Sequence, residues 1–138
     1  MRRAYLYARV SSADQAEGYS LRAQDRVVER GAERYGAQIV ERFTDDDSAK
    51  HGATITESFD RRPGWQALLR AVRADPPRKG GPDLVLFKDY SRFSRHAASG
   101  WGQLFALQQL GVEIQAVEQH IDWESPEHVL LVSTYLSM

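Results

Sequence analysis

Residues 83–87 read Asp-Leu-Val-Leu-Phe, and this stretch decides the fold because it is apolar throughout after its first residue. A strand without alternating polar residues is typical of the centre of a parallel sheet, where helices cover both faces. The preceding segment, 75–82, contains three prolines and two glycines, which predicts a surface turn. We therefore expect a buried central strand at 83–87.

Strand-like runs also lie on both sides of this stretch. Residues 4–10 (Ala-Tyr-Leu-Tyr-Ala-Arg-Val) predict a first strand, residues 38–43 a second and residues 112–117 a fourth. Helical patterns separate these strands along the chain. The alternation predicts an α/β domain with a mainly parallel central sheet flanked by helices.

The helices are predicted from their caps and from apolar residues at helical spacing. Ser20 is expected to cap a first helix that ends at Gly36, and Pro63 to open a second. A third is expected over residues 97–110, and Ser125-Pro126 opens a last helix that is still running at Met138. The expected buried positions are Leu21, Val28, Ala32 and Tyr35, then Trp65, Leu68, Leu69 and Val72, then Trp101, Leu104 and Phe105. Residues 44–61 show no period and predict a mobile loop.

The length and composition restrict the class of protein. A chain of 138 residues fits one domain, 1–138, and the unfinished last helix predicts that this domain belongs to a longer protein. The absence of cysteine excludes disulfides and thiolate metal sites. The apolar run after Met1 is too short for a signal peptide, and no run approaches the roughly 20 apolar residues of a membrane span, so we expect a cytoplasmic protein without membrane contact. The net charge of −1 gives no sign of nucleic-acid binding, but every Lys and Arg lies at or before Arg95.

Polar residues follow three of the predicted strands at the point where each strand ends. Arg9 and Ser11 end the first strand, the acidic run 45–47 and Ser48 follow the second, and residues 88–95 (Lys-Asp-Tyr-Ser-Arg-Phe-Ser-Arg) follow the third. Ligands of open α/β sheets bind beyond the carboxyl ends of the strands, so a serine and at least three arginines are expected at one edge. Guanidinium groups bind phosphate through paired hydrogen bonds, and a serine among them can attack phosphorus. The pattern predicts a phosphate-handling domain.

Other interpretations of these residues remain open from the pattern alone. A serine after a strand is usually a turn or cap residue, and paired arginines are usually solvated. The run Asp45, Asp46, Asp47 is more typical of a solvated loop than of a metal site. It is also compatible with a metal-dependent phosphatase or nuclease, which chelators would inactivate, or with the phosphoacceptor of a receiver-like signalling domain, which acetyl phosphate would label. Trp65, Trp101 and Phe105 are interpreted as core, and the four histidines as surface or packing residues.

Two motifs carry a resemblance to a known family. Residues 7–12 (Tyr-Ala-Arg-Val-Ser-Ser), followed by residues 20–24 (Ser-Leu-Arg-Ala-Gln), resemble the opening signature of the serine recombinases, which include resolvases, invertases and large serine integrases. Residues 91–95 (Ser-Arg-Phe-Ser-Arg) are similar to the second arginine motif of that family, and Arg62-Pro63 to its Arg-Pro before the second helix. The spacing of Ser20 from Ser11 is most like that of the large integrases. The resemblance implies a resolvase-like catalytic domain that ends in the start of a long C-terminal helix.

The resemblance also implies roles for individual residues. Ser11 corresponds to the nucleophile, Arg9 to an active-site arginine, and Arg92 and Arg95 to residues that bind phosphate and stabilise the transition state. Residues expected to support the site or bind phosphate are Tyr7, Gln24, Ser48, Arg62, Asp89 and Ser91. The chain departs from the family in two places: many members carry Asp where this chain has Ser91, and the family's Ser-Gly after the second strand is Ser48-Ala49 here.

The function that the resemblance implies is site-specific DNA recombination. Ser11 would attack a DNA phosphodiester, form a 5′-phosphoserine bond and release a 3′-hydroxyl, without a metal, cofactor or ATP. The expected partner is double-stranded DNA, bound by a dimer on each site and a tetramer in the synapse of the full-length protein. A bacterial, phage or mobile-element setting is expected, with DNA specificity residing in a C-terminal region outside this domain.

Overall fold

The computed structural model of the chain describes residues 1–11, 14, 18, 20–46, 58–94 and 96–137. The strands in this part of the chain are β1 (Arg2–Val10), β2 (Ala37–Asp46), β3 (Leu84–Phe87) and β4 (Glu113–Ala116). The helices are α1 (Leu21–Arg34), α2 (Pro63–Ala74), the single turn α3 (Tyr90–Phe93), α4 (Ala97–Gln109) and α5 (Pro126–Leu136), with short 3-10 turns at Phe59–Arg61 and Pro77–Lys79.

The strands form a parallel sheet in the order β2-β1-β3-β4. The two inner strands are buried on both faces: residues 4–10 of β1 and all of β3 are buried without alternation. Helices on both sides of the sheet explain why these strands tolerate continuous apolar sequence. The predicted α/β fold and the central position of β3 are confirmed.

Successive residues of β1 point to opposite faces of the sheet and divide the core into two layers. Ala4, Leu6 and Ala8 pack with α1 on one face. Tyr5 and Tyr7 pack on the other face, beneath α2, α4 and α5. This second layer is strongly aromatic, with ring centroids 4.7 Å apart for Phe87 and Phe93, and 5.0 Å apart for Trp65 with Phe93 and for Trp65 with Tyr7.

The predicted caps begin the helices where expected. Ser20 Oγ accepts a hydrogen bond of 3.1 Å from Ala23 N at the start of α1. Pro63 occupies the first turn of α2, whose four predicted apolar residues are all buried. Ser125 Oγ accepts from His128 N at the start of α5. Among these described helices, none has the combination of length and apolar sequence that crossing a bilayer requires.

Two predictions about local structure are wrong. The expected loop at 44–61 is strand as far as Asp46 and a 3-10 turn over Phe59–Arg61, while residues 47–57 lie outside the described residues. Pairing with β1 satisfies the backbone of this polar end of β2, where Thr44 and Asp45 lie opposite Ala8 and Arg9. Phe105 was expected in the core but is 53% exposed and stacks on Trp101, because Leu104 and Leu107 occupy the inward face of α4.

Candidate active site

The carboxyl ends of β1 and β3 bring Ser11 and Arg92 to one site, with Asp14 between them. Ser11 Oγ lies 3.1 Å from Asp14 Oδ2, which also accepts a 3.0 Å hydrogen bond from Ser11 N. Asp14 N in turn donates to Ser11 Oγ at 3.3 Å. These reciprocal contacts match a capping box, in which a serine and an acidic residue three positions later satisfy each other's backbone groups. Ser11 is 7% exposed.

Arg92 lies on the far side of Asp14 from Ser11. Its Nε is 3.7 Å from Asp14 Oδ1, and its side chain is 18% exposed. On its other side, Nη1 is 3.3 Å from Ser91 Oγ and 3.8 Å from Asp89 Oδ1. A guanidinium between two carboxylates is held in place and remains partly open to solvent, as phosphate binding requires.

Asp89 fixes the turn that carries Arg92. Its Oδ1 accepts hydrogen bonds from Arg92 N at 2.8 Å and from Ser91 Oγ at 2.6 Å, which caps α3, and its Oδ2 accepts from Lys88 Nζ at 3.2 Å. Burial alone would raise the pKa of Asp89, but these hydrogen bonds and the charges of Arg92 and Lys88 outweigh it and lower the pKa. Asp89 is therefore an ionised carboxylate that orients Ser91 and Arg92.

Asp45 caps α2 from the neighbouring strand. Its carboxylate accepts hydrogen bonds from Tyr7 Oη at 2.7 Å, from Gly64 N at 2.8 Å and from Trp65 N at 2.9 Å, and the residue is 5% exposed. A Cβ at Gly64 would lie 2.2 Å from Thr44 O, so only glycine allows the helix this close to β2. The interpretation of Asp45 as part of a solvated loop is wrong, because three donors hold it inside the protein.

Arg62 lies beneath the site. It is 1% exposed, its Nη1 donates to Phe93 O at 2.6 Å, and its guanidinium carbon sits 3.9 Å from the centre of the Phe59 ring. Burial lowers the pKa of Arg62, and Tyr7 and Asp45 partly offset this. Burial likewise raises the pKa of Tyr7. Both side chains are buried inside the protein.

Gln24 ties α1 to the end of β1. Its Nε2 donates to Arg9 O at 2.9 Å, and the side chain is buried. Arg9 itself is 6% exposed, one residue before the end of the strand. Ser48, Asp47 and Arg95 lie outside the described residues. The helical turn α3, which carries Arg92, ends at Phe93.

The site does not coincide with the cleft beside the start of α4. That cleft has a volume of about 550 Å³ and is lined by residues other than those predicted for the site: Ser58, Phe59, Asp60, His96, Ser99, Gly102 and Gln103. Within the described ranges, no three His, Cys, Asp or Glu side chains are grouped as a metal site requires. Asp45 gives neither rival function support, since its carboxylate is buried and already accepts three hydrogen bonds.

Comparison with known proteins decides the family. A family model described as "Resolvase, N terminal domain" matches residues 4–138. The chain belongs to the resolvase family. No curated protein matches this resolvase domain.

Solved structures agree with this assignment. The resolvase domain is similar to the N-terminal catalytic domain of TP901-1 integrase, with a TM-score of 0.68 and 25% identity over 99% of this chain and 92% of that one. It is similar to a resolvase family site-specific recombinase from Streptococcus pneumoniae, with a TM-score of 0.70 and 29% identity over 97% and 85% of the two chains. The catalytic domain of ISC1926 TnpA, an IS607-like serine recombinase, matches with a TM-score of 0.61 and 26% identity over 94% and 76%. The predicted family, fold and class of enzyme, a DNA recombinase catalytic domain, are confirmed.

The residue at the centre of the resolvase site was not predicted. Asp14 contacts Ser11 through Oδ2 and approaches Arg92 through Oδ1. The spacing of Ser11 and Asp14, with two residues between them, is the signature of a capping box and was the available signal. The roles predicted for individual residues stay predictions.

Proposed function

We propose that this recombinase domain cuts and rejoins DNA with Ser11 as the nucleophile. The observation that carries the proposal is the shared contact with Asp14, which Ser11 Oγ approaches to 3.1 Å and Arg92 Nε to 3.7 Å. A nucleophile next to a partly exposed guanidinium suits phosphoryl transfer, whose catalysis is mostly positioning and charge neutralisation. Membership of the resolvase family supports double-stranded DNA as the substrate.

The proposed reaction exchanges one phosphoester for another. Ser11 Oγ forms a bond to phosphorus while the bond from phosphorus to the 3′-oxygen breaks, which leaves a 5′-phosphoserine and a 3′-hydroxyl. Attack by the 3′-hydroxyl of a new partner reverses these changes, so the bond energy is conserved and no ATP is needed. Arg9, Arg92 and Arg95 would neutralise the charge that builds up on the phosphorus oxygens in both directions. The proposal includes no metal or cofactor.

The test is covalent adduct formation by the full-length protein. The DNA site is first identified by selecting the duplexes that the wild-type protein binds from a random-sequence library. A duplex that carries this site is the probe. We expect wild type and the matched control Ser99→Ala, an exposed serine of α4, to give an adduct that maps to Ser11 by peptide mass. Ser11→Ala should give none. An adduct of normal yield in Ser11→Ala, or one mapped to another residue, would falsify the proposal.

Assembly into dimers on each site and tetramers in the synapse belongs to the same proposal. Its support is the apolar surface on α4 and α5, where Leu130 is 71% exposed, Phe105 53% and Leu131 41%. Such side chains on a helix surface favour association. We expect Leu130→Glu to weaken self-association of the full-length protein in analytical ultracentrifugation by at least tenfold, whereas Val40→Glu at the exposed edge of β2 should not. Equal effects of both variants would contradict this assignment. A cytoplasmic setting, in a bacterium, phage or mobile element, is part of the proposal as well.

A further inference from the structure

Asp14 contacts the proposed nucleophile and has no place in the reaction described so far. Its Oδ2 lies 3.1 Å from Ser11 Oγ, and its side chain is 4% exposed. We infer that Asp14 is the general base that takes the proton from Ser11 Oγ as this oxygen attacks DNA. The inference rests on the proposed function, because it takes Ser11 as the attacking group.

The hydrogen bonds around Ser11 Oγ suit proton transfer. A serine hydroxyl has one proton and two lone pairs. Asp14 N donates to one lone pair at 3.3 Å, and Asp14 Oδ2 is within hydrogen-bonding reach of the proton. The second lone pair is then available for attack on phosphorus. A separation of 3.1 Å lies within the reach of roughly 2.6–3.2 Å that general-base catalysis needs.

A capping role explains part of this arrangement but not all of it. Capping accounts for the contacts that join each residue to the other's backbone N–H. It does not require the contact between hydroxyl and carboxylate, nor Arg92 at 3.7 Å from Oδ1. Those two features suit a base, namely a proton donor within reach of one carboxylate oxygen and a guanidinium beside the other.

The charged groups near Asp14 connect it to the place where phosphate is expected to bind. Arg92 faces Asp14 from α3, Asp89 holds Arg92 from the other side at 3.8 Å, and Arg9 is the charged residue at the end of β1. A phosphate that engages Arg92 is brought to the site where Ser11 Oγ contacts Asp14. The nucleophile and the base therefore meet the phosphate at the same guanidinium.

The step balances in both directions. During cleavage, the proton of Ser11 Oγ moves to Asp14 Oδ2, the bond from Oγ to phosphorus forms, the bond to the 3′-oxygen breaks, and that oxygen takes a proton from solvent water. During rejoining, the incoming 3′-hydroxyl gives its proton to solvent water. Asp14 then returns its proton to Ser11 Oγ as the phosphoserine bond breaks.

The test compares Asp14→Asn, Asp14→Glu and wild type in single-turnover adduct formation by the full-length protein. Asp14→Asn removes the carboxylate but keeps an amide oxygen that can accept the hydrogen bond from Ser11 N. The variant therefore loses the base and retains the capping contact. Asp60→Asn, an exposed aspartate in the 3-10 turn Phe59–Arg61, is the matched control. Each protein is measured between pH 7 and 9 on the selected duplex and on the same duplex with sulfur replacing the 3′-bridging oxygen at the scissile phosphate.

We expect Asp14→Asn to slow adduct formation by roughly 10²–10⁴-fold, the usual contribution of a general base. Without a base, Ser11 must lose its proton to water or hydroxide before it attacks, so the rate of this variant should rise about tenfold per pH unit. The rates of wild type, Asp14→Glu and Asp60→Asn should change little with pH over this range. The sulfur substrate should leave the defect unchanged, because a thiolate leaving group needs no proton whereas the attacking serine must still lose one.

Three results would overturn the inference. Asp14→Asn within threefold of wild type would show that no proton passes to Asp14. A slow variant restored by the sulfur substrate would make Asp14 the acid for the leaving group. A slow variant with no added pH dependence would leave only the capping role. Failure of the proposed function is a separate result, since the wild type would then give no adduct at Ser11.

Discussion

The hydrogen bond from Tyr7 to Asp45 allows a quantitative test of how the site is supported. It is 2.7 Å long, and its two residues are 1% and 5% exposed, so solvent does not screen it. Tyr7→Phe removes the hydroxyl but keeps the ring, whose centroid lies 5.0 Å from that of Trp65. Asp45 keeps its two backbone donors, Gly64 N and Trp65 N. The variant should therefore fold and lose mainly this hydrogen bond.

The expected magnitude follows from the burial and the charge of the acceptor. A hydrogen bond to a charged group contributes about 1.5–3 kcal/mol to stability. Ring burial does not change, so Tyr7→Phe should lower the free energy of unfolding by that amount. The equilibrium constant for unfolding would rise roughly 10- to 160-fold, since about 1.4 kcal/mol corresponds to a factor of ten.

Urea denaturation followed by tryptophan fluorescence and circular dichroism measures this loss. Tyr35→Phe makes the same chemical change where the hydroxyl lies 2.8 Å from the exposed side chain of His120, and we expect it to cost less than about 1 kcal/mol. Combining Tyr7→Phe with Asp45→Asn completes a double-mutant cycle, which should show a coupling of about 1 kcal/mol or more. A loss below about 0.5 kcal/mol for Tyr7→Phe, with no coupling, would refute the role given to Asp45.

Three further predictions follow from the contacts around the site. Asp89 has a lowered pKa in the folded protein, so its stabilising effect is complete above the unfolded pKa of about 3.9 and disappears as pH falls through the folded pKa. Wild type should therefore lose unfolding free energy between about pH 5 and 2 in urea titrations, and Asp89→Asn should lose less over the same range. The same pH dependence in both proteins would contradict this. Gln24→Ala leaves the buried Arg9 carbonyl without its 2.9 Å donor and should cost about 1–3 kcal/mol in thermal denaturation, against almost nothing for the exposed Gln109→Ala. Arg92→Lys keeps the charge but loses the planar pair of donors, so single-turnover adduct formation should fall by roughly 10²-fold or more; a rate within twofold of wild type would remove Arg92 from the reaction.

The order of strands and helices was predictable because the local signals agreed with the tertiary structure. The apolar stretch at 83–87 became an inner strand, and Ser20 and Pro63 began helices where their chemistry favours it. Phe105 was the exception. Helical spacing permits it to share a face with Trp101, and only the packing of Leu104 and Leu107 against the sheet decides which residues of α4 turn outward.

The details of the site were less accessible from sequence. The role of Asp45 depends on β2 lying beside β1 and on α2 approaching that strand at Gly64, and no local pattern encodes a contact between residues 19 positions apart. Asp14 is different, because its capping-box spacing to Ser11 is local and could have been recognised. The arginines were predictable as a group through the family motifs. Their distances to Ser11 were not, since those depend on how α3 is capped by Asp89.

The contact between Arg62 and the Phe93 carbonyl bears on how genetic screens of this protein should be interpreted. Phe93 ends the turn that begins at Asp89 and carries Arg92, so the guanidinium of Arg62 holds the second end of that turn from inside the protein. Because Arg62 is 1% exposed, we expect substitutions there to lower recombination by displacing this turn, whether or not Arg62 meets DNA. A screen that scores only recombinant colonies would count Arg62 among the DNA-contacting arginines, and only a parallel measurement of protein stability would separate the two groups.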